Sequence, residues 1–238
     1  MRLILDSEDF SKYLEEPEFD HEVSPASSWK DQVKDYFYAP PEKPLPTLPW
    51  SNTFKDFRSR PGEVTLWPGI NGHGKSQLLG NVILDLAKQG ERCCISSLEM
   101  KPYKTMVRMV RNAYGSDEPP RKYIDDFSDW TDDKIWLYDK VGNCKPEVMI
   151  AVIRYAVDKF QIKHFVIDNL MKIVSGTDNY NQQKDFVNSL CEVASETGVH
   201  IHLVLHMRKG KTEEEMPNKF DIKGAGEISD LVDNIFIV

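Results

Sequence analysis

Short apolar runs alternate with longer stretches in which apolar residues recur every three or four positions, and the alternation is regular from about residue 63 onward. "EVTLWPG" (63–69), "RCCISSL" (92–98), "DKIWLYD" (133–139), "KHFVIDN" (163–169), "VHIHLVLH" (199–206) and "DNIFIV" (233–238) read as strands. Between them the period lengthens. "KSQLLGNVILDLAKQG" (75–90), ended by Gly90, and "KPYKTMVRMVRNAYG" (101–115) read as helices. So do "PEVMIAVIRYAVDKF" (146–160), opened by Pro146, and "QQKDFVNSLCEVASETG" (182–198). Strands alternating with helices predict an α/β fold, with a mostly parallel sheet covered by helices on both faces.

The first 49 residues break this pattern. Residues 1–26 are rich in acids and show little apolar periodicity, so they read as an arm that orders only against a partner. "SSWKDQVKDYFYAP" (27–40) suits a short helix with Ser28 as its N-cap, and "PPEKPLPTLP" (40–49) a semi-rigid linker. The expected division is therefore an N-terminal arm over 1–49 and a compact domain over 50–238.

"GINGHGKS" (69–76) fits G-x-x-x-x-G-K-[ST] between a predicted strand and a predicted helix. Glycines let backbone N–H groups wrap phosphate oxygens, and the helix N-terminus adds a favourable dipole. Gly69, Ile70, Asn71, Gly72, His73, Gly74, Lys75, Ser76 and Gln77 are the candidate nucleotide contacts. Lys75 is placed to reach the β and γ phosphates of ATP, and Ser76 to ligate Mg²⁺. A site of this kind needs a second acid at a nearby strand end, and "HFVID" offers Asp168. Glu99 ends "CCISSLEM" and His206 ends "VHIHLVLH", so both fall at C-terminal strand ends, where open parallel sheets bind ligands. A carboxylate there can polarise a water for attack on the γ-phosphate, and a histidine there can sense that phosphate. Plainer readings stay open: Asp168 and Glu99 would each also suit a helix start. His200, His202 and His206 share strand parity, which makes a metal site conceivable.

Composition narrows the partners. A formal net charge of -8 is unlike a module that coats duplex DNA, so any nucleic-acid contact must come from a few local groups or from loops gathered in a ring. Four cysteines with no C-x-x-C pair point to reduced thiols in a cytoplasmic protein. No apolar run approaches the roughly 18 residues of a membrane helix, and the acidic N-terminus is not a signal peptide.

Five segments in order, "RPGEVTLWPGINGHGKS", "SSLEM", "HFVIDNLMKIVSG", "HIHLVLHMRKGK" and "DIKGAGEISDLVDNIFIV", resemble the motor of DnaB/Twinkle-type replicative hexameric DNA helicases and phage primase-helicases. The resemblance spans about residues 50–238. It implies a RecA-like fold, a homo-oligomeric ring (a hexamer) and ATP-driven travel along single-stranded DNA. It places Lys75 and Ser76 on the phosphate and Mg²⁺ positions, Glu99 on the catalytic base, Asp168 on the second acid and His206 on the γ-phosphate sensor. It also puts residues 207–226 on the DNA-facing loop. Arg208, Lys209, Lys211 and Lys223 are the candidate DNA contacts there, against Glu213, Glu214, Glu215 and Asp221. Residues 175–183 form a second loop candidate.

There are departures. The family carries an arginine finger beyond the strand matching "DNIFIV", where this sequence stops. "SWKDQVKDYFY" stands where the family has a helix that docks on a neighbouring subunit, and it is a candidate for that role or for binding a helicase loader. Two further readings remain: a RecA-like recombination or regulatory ATPase, and an accessory subunit that binds ATP but turns it over poorly alone. A small-molecule kinase is disfavoured because no Arg-rich lid is visible.

Overall fold

The structure, a computed structural model, describes residues 2–15, 25–39, 43–174, 180–207 and 225–238, with backbone alone at 225–226. Seven strands form one all-parallel sheet: β1 (Arg2–Ile4), β2 (Val64–Gly69), β3 (Cys93–Ser97), β4 (Ile135–Tyr138), β5 (His164–Asp168), β6 (His200–His206) and β7 (Asn234–Ile235). Their order is β1-β4-β3-β5-β6-β2-β7. The central strands are buried along their whole length, which is why they read as near-continuous apolar runs. Cys93 and Cys94 lie fully buried in β3 and act there as small apolar residues.

Helices cover both faces, as the alternating pattern predicts. One face carries α3 (Lys75–Lys88), α4 (Pro102–Tyr114) and α5 (Arg121–Thr131), packed on Trp67, Ile95, Leu137 and Val166. The other carries α6 (Pro146–Phe160) and α7 (Tyr180–Thr197), packed on Leu66, Trp136, Phe165 and Leu203, with α8 (Ala225–Leu231) adding Ile228. Both α4 and α6 open on a proline, whose missing N–H costs nothing in a first turn.

Four features differ from the sequence reading. Residues 1–26 are not simply an arm: β1 pairs in register with β4, Arg2 opposite Trp136 and Ile4 opposite Tyr138. The short helix α1 (Ser11–Leu14) then packs on α6, with Phe10 edge-on to Tyr138 and Tyr155. A three-residue edge strand is too short for periodicity to show, so only pairing reveals it. Residues 16–24 of that segment lie outside the described residues. Ser28 is not an N-cap; it sits inside a 3-10 turn (Ala26–Trp29) that runs into α2 (Lys30–Tyr38). Helix α5 was not anticipated, although Tyr123, Phe127 and Trp130 recur at helical spacing and pack on one another. The last strand is only two residues long, and α8 precedes it.

The corrected N-terminus makes a prediction. Ile4 is 1% exposed, so Ile4→Ala should cost about 2–5 kcal/mol of stability, read from urea midpoints. An unpacked arm would give no change.

Candidate active site

The loop after β2 is shaped by its glycines. At Gly69 an added Cβ would stand 2.6 Å from the carbonyl oxygen of Val238, so no larger residue fits. Gly74 has φ +81°, in the left-handed region, and forms the N-cap of α3. Its carbonyl accepts from the backbone N–H groups of Gln77 and Leu78, both at 2.9 Å. Asn71, Gly72, His73 and Gly74 are exposed, Ile70 and Ser76 half-buried, and Gln77 exposed. Lys75 is the exception, only 6% exposed. Its ammonium donates to the carbonyls of Gly69 and Ile70, each at 2.9 Å. Burial pushes its pKa down, while the carboxylates of Asp168 and Glu99 push it up.

Sheet order brings the other candidates to the same place. Strands β3, β5, β6 and β2 are consecutive neighbours, and Glu99, Asp168, His206 and Gly69 stand at or just past their C-terminal ends. Register fixes the levels: Ser97 lies opposite Asp168, and Gly69 opposite His206. Asp168 is 8% exposed. Burial pushes its carboxyl pKa up, a hydrogen bond from Ser76 pulls it down, and nearby Glu99 raises it again. Arg108 and Lys75 act in the lowering direction. Asp168, a buried carboxylate, and Ser76 are hard oxygen donors, a set that fits Mg²⁺ better than a softer metal.

Two residues in this site escaped the sequence reading. Asn169 is 1% exposed and lies between Glu99 and His206. Its Nδ2 donates to Glu99 Oε1 at 2.7 Å and lies 2.9 Å from His206 Nε2. The only signal for it was its position directly after Asp168. Arg108 reaches the site from α4, within hydrogen-bond distance of Met100 Sδ at 3.3 Å. With Ser76, Ser97 and Asp168 it lines a small cavity of about 30 Å³. One basic residue among several on an amphipathic helix gave no sign of that role.

Other candidates separate from the site. His200 and His202 do not join His206; they are buried with His164 deeper in the sheet. No group among the described residues is arranged to hold a metal through histidine, cysteine or acid clusters. Arg208, Lys209, Lys211 and Lys223 lie outside the described residues, as do residues 175–179 of the second loop candidate. No helix among the described residues is long and apolar enough to cross a membrane.

A P-loop at the end of a central strand, with acids at the ends of two further strands of the same parallel sheet, defines a RecA-like P-loop ATPase domain. Residues 49–212 match the family model described as AAA domain, and the chain belongs to that family. It is similar to the DNA helicase/primase of Enterobacteria phage T3, 26% identical over 198 residues. That match covers 74% of this chain and 35% of the phage protein, so the chain spans about a third of that relative's length. Among solved structures, the ATPase Domain of G40P superposes with a TM-score of 0.69 at 14% identity. It covers 91% of this chain and 83% of that one, and it shows the shared fold.

Proposed function

We propose that this domain is the motor of a replicative DNA helicase, hydrolysing ATP to travel along single-stranded DNA as a homo-oligomeric ring, a hexamer in the related family. The observation that carries the reading is the convergence of the Gly69–Ser76 loop, Glu99, Asp168 and His206 on four adjacent strand ends. The similarity to a phage helicase/primase supports the DNA part of it.

Residues 69–77 would cradle the phosphates with backbone N–H groups. Lys75 would exchange its two loop carbonyls for the β and γ phosphates, so the ammonium already waits in the loop. Ser76 and Asp168 would hold Mg²⁺, which supplies charge neutralisation on the phosphates when bound. Glu99, exposed at the turn after β3, would take the proton of the attacking water. His206 would register the γ-phosphate and pass its loss to the segment that follows, where Arg208, Lys209, Lys211 and Lys223 are proposed to track DNA phosphates. The motor is proposed to comprise residues 50–238 together with β1 and α1. The helix α2 exposes Val33, Tyr36, Phe37 and Tyr38, which suits docking on a neighbouring subunit or a helicase loader.

The direct test is ATP hydrolysis with and without single-stranded DNA, alongside solution mass with ATP and Mg²⁺. DNA-stimulated turnover by a multimer is expected. Turnover indifferent to DNA would favour a regulatory or recombination ATPase instead. Lys75→Ala should abolish the rise in Tm that saturating ATP gives the wild type, which is about 2.7 kcal/mol of stabilisation at a hundredfold excess over Kd. An undiminished ATP-induced shift would remove the loop from nucleotide binding.

A further inference from the structure

Asn169 joins two strand ends through a single side chain. A carboxamide NH₂ carries two hydrogens, and here one serves Glu99 Oε1 and the other His206 Nε2. Charge fixes the orientation, because the reversed amide would set its oxygen against the Glu99 carboxylate. His206 Nε2 must then accept, which leaves the proton of the neutral ring on Nδ1. Asn169 Oδ1 is buried and makes no hydrogen bond among the described residues. The side chain is thus held by its donor end alone, and a buried acceptor is left unmatched to keep both donor contacts.

We propose that Asn169 is a positioning residue that ties Glu99 to His206, so that the hydrolytic carboxylate answers to the state of the β6 end. The proposal rests on the roles given above to Glu99 and His206. Glu99 is an exposed side chain on a turn, and the amide is what anchors it. Asn169 follows Asp168 in the chain, so the tether is built on the strand end that also carries the second acid. His206 leads directly into the proposed DNA segment. A displacement of His206 therefore reaches Glu99 through two hydrogen bonds on one nitrogen, without passing through the phosphates.

The test compares wild type, Asn169→Ala, His206→Ala and the double variant of the full chain in steady-state ATP hydrolysis and in binding of a fluorescent ATP analogue. Asn169→Ala should lower kcat by about 10–100-fold with analogue affinity nearly unchanged, the usual size of a lost supporting contact. Adding His206→Ala should then cost less than the same change costs in the wild type, because the tether is already gone and only the role of His206 at the phosphate remains to lose. Additive losses, or wild-type turnover in Asn169→Ala, would overturn the proposal. Truncating a buried residue can unfold the chain, so the wild type itself provides a second reading. Nitrogen-15 NMR of the His206 ring is independent of turnover: wild type should show the Nδ1–H tautomer, and Asn169→Ala should release it to Nε2–H. An Nε2–H ring in the wild type overturns the tether whether or not ATP is hydrolysed. An Nδ1–H ring in a chain that hydrolyses no ATP supports the tether and overturns only the catalytic roles proposed above.

Discussion

Replacing Glu99 with Gln should leave ATP bound and cut its hydrolysis by about 10²–10⁴-fold, the span over which a positioned general base acts. The substitution is close to isosteric. Its amide oxygen still accepts from Asn169, so the turn after β3 keeps its anchor. What disappears is the ability to take a proton from water. Removing a negative charge near Lys75 and Asp168 alters their mutual electrostatics only modestly, because Glu99 is exposed and solvent screens it. The decisive comparison is the ATP-induced rise in Tm against kcat: the first should persist while the second collapses. Near-full hydrolysis by Glu99→Gln would assign the base elsewhere.

Acidification should unfold the chain steeply, starting near pH 6.5, through the histidine cluster rather than the active site. His164, His200 and His202 are 3%, 1% and 0% exposed. Their partners fix each ring as neutral. Trp67 Nε1 can only donate, so His202 Nδ1 accepts at 3.2 Å and its own proton sits on Nε2, facing His164 Nδ1 at 3.3 Å. His200 Nδ1 donates to the Arg60 carbonyl at 2.7 Å, and its Nε2 accepts from the Thr65 hydroxyl at 2.8 Å. Burial is the largest cause pushing all three pKa values down. His200 lowers both neighbours further, and Lys43 adds to the effect on His164. The Arg60 carbonyl, Glu63 and Asp233 oppose it at His200.

The sign follows from where the protons go. Below about pH 6.5 the unfolded chain binds protons at these histidines and the folded chain does not. Stability is therefore fully present above that value and is lost as pH falls toward the depressed folded values. Each withheld proton is worth about 1.4 kcal/mol per pH unit, so the three together approach about 4 kcal/mol per unit. Asp168, raised by burial, works in the opposite sense. Urea midpoints at several pH values between about 7.5 and 5 measure the slope directly. A flat profile over that interval would mean the cluster is not buried in its neutral form.

Much of this was legible in the chain. The period-two and period-3.6 stretches marked β2 to β6 and α3, α4, α6 and α7, because each buries a face whose spacing is imposed by its own backbone geometry. The Gly69–Ser76 loop was equally plain, since backbone wrapping of an anion demands glycines at set positions. Even the placement of Glu99, Asp168 and His206 at strand ends followed from counting along apolar runs. The family resemblance added the order of these segments.

The remainder depended on contacts between distant residues. β1 exists only because Arg2–Ile4 finds the free edge of β4, more than 130 residues away in sequence. His164 joins His200 and His202 because β5 and β6 pair in one register, which the parity of "VHIHLVLH" could not reveal. Asn169 looked like the residue after an acid, and became a link only when β3, β5 and β6 were set side by side. Local periodicity and loop chemistry are written into neighbouring residues, so the sequence by itself determined the P-loop ATPase architecture. Which side chains meet across strands is set by sheet order and register, and only the tertiary structure decided that.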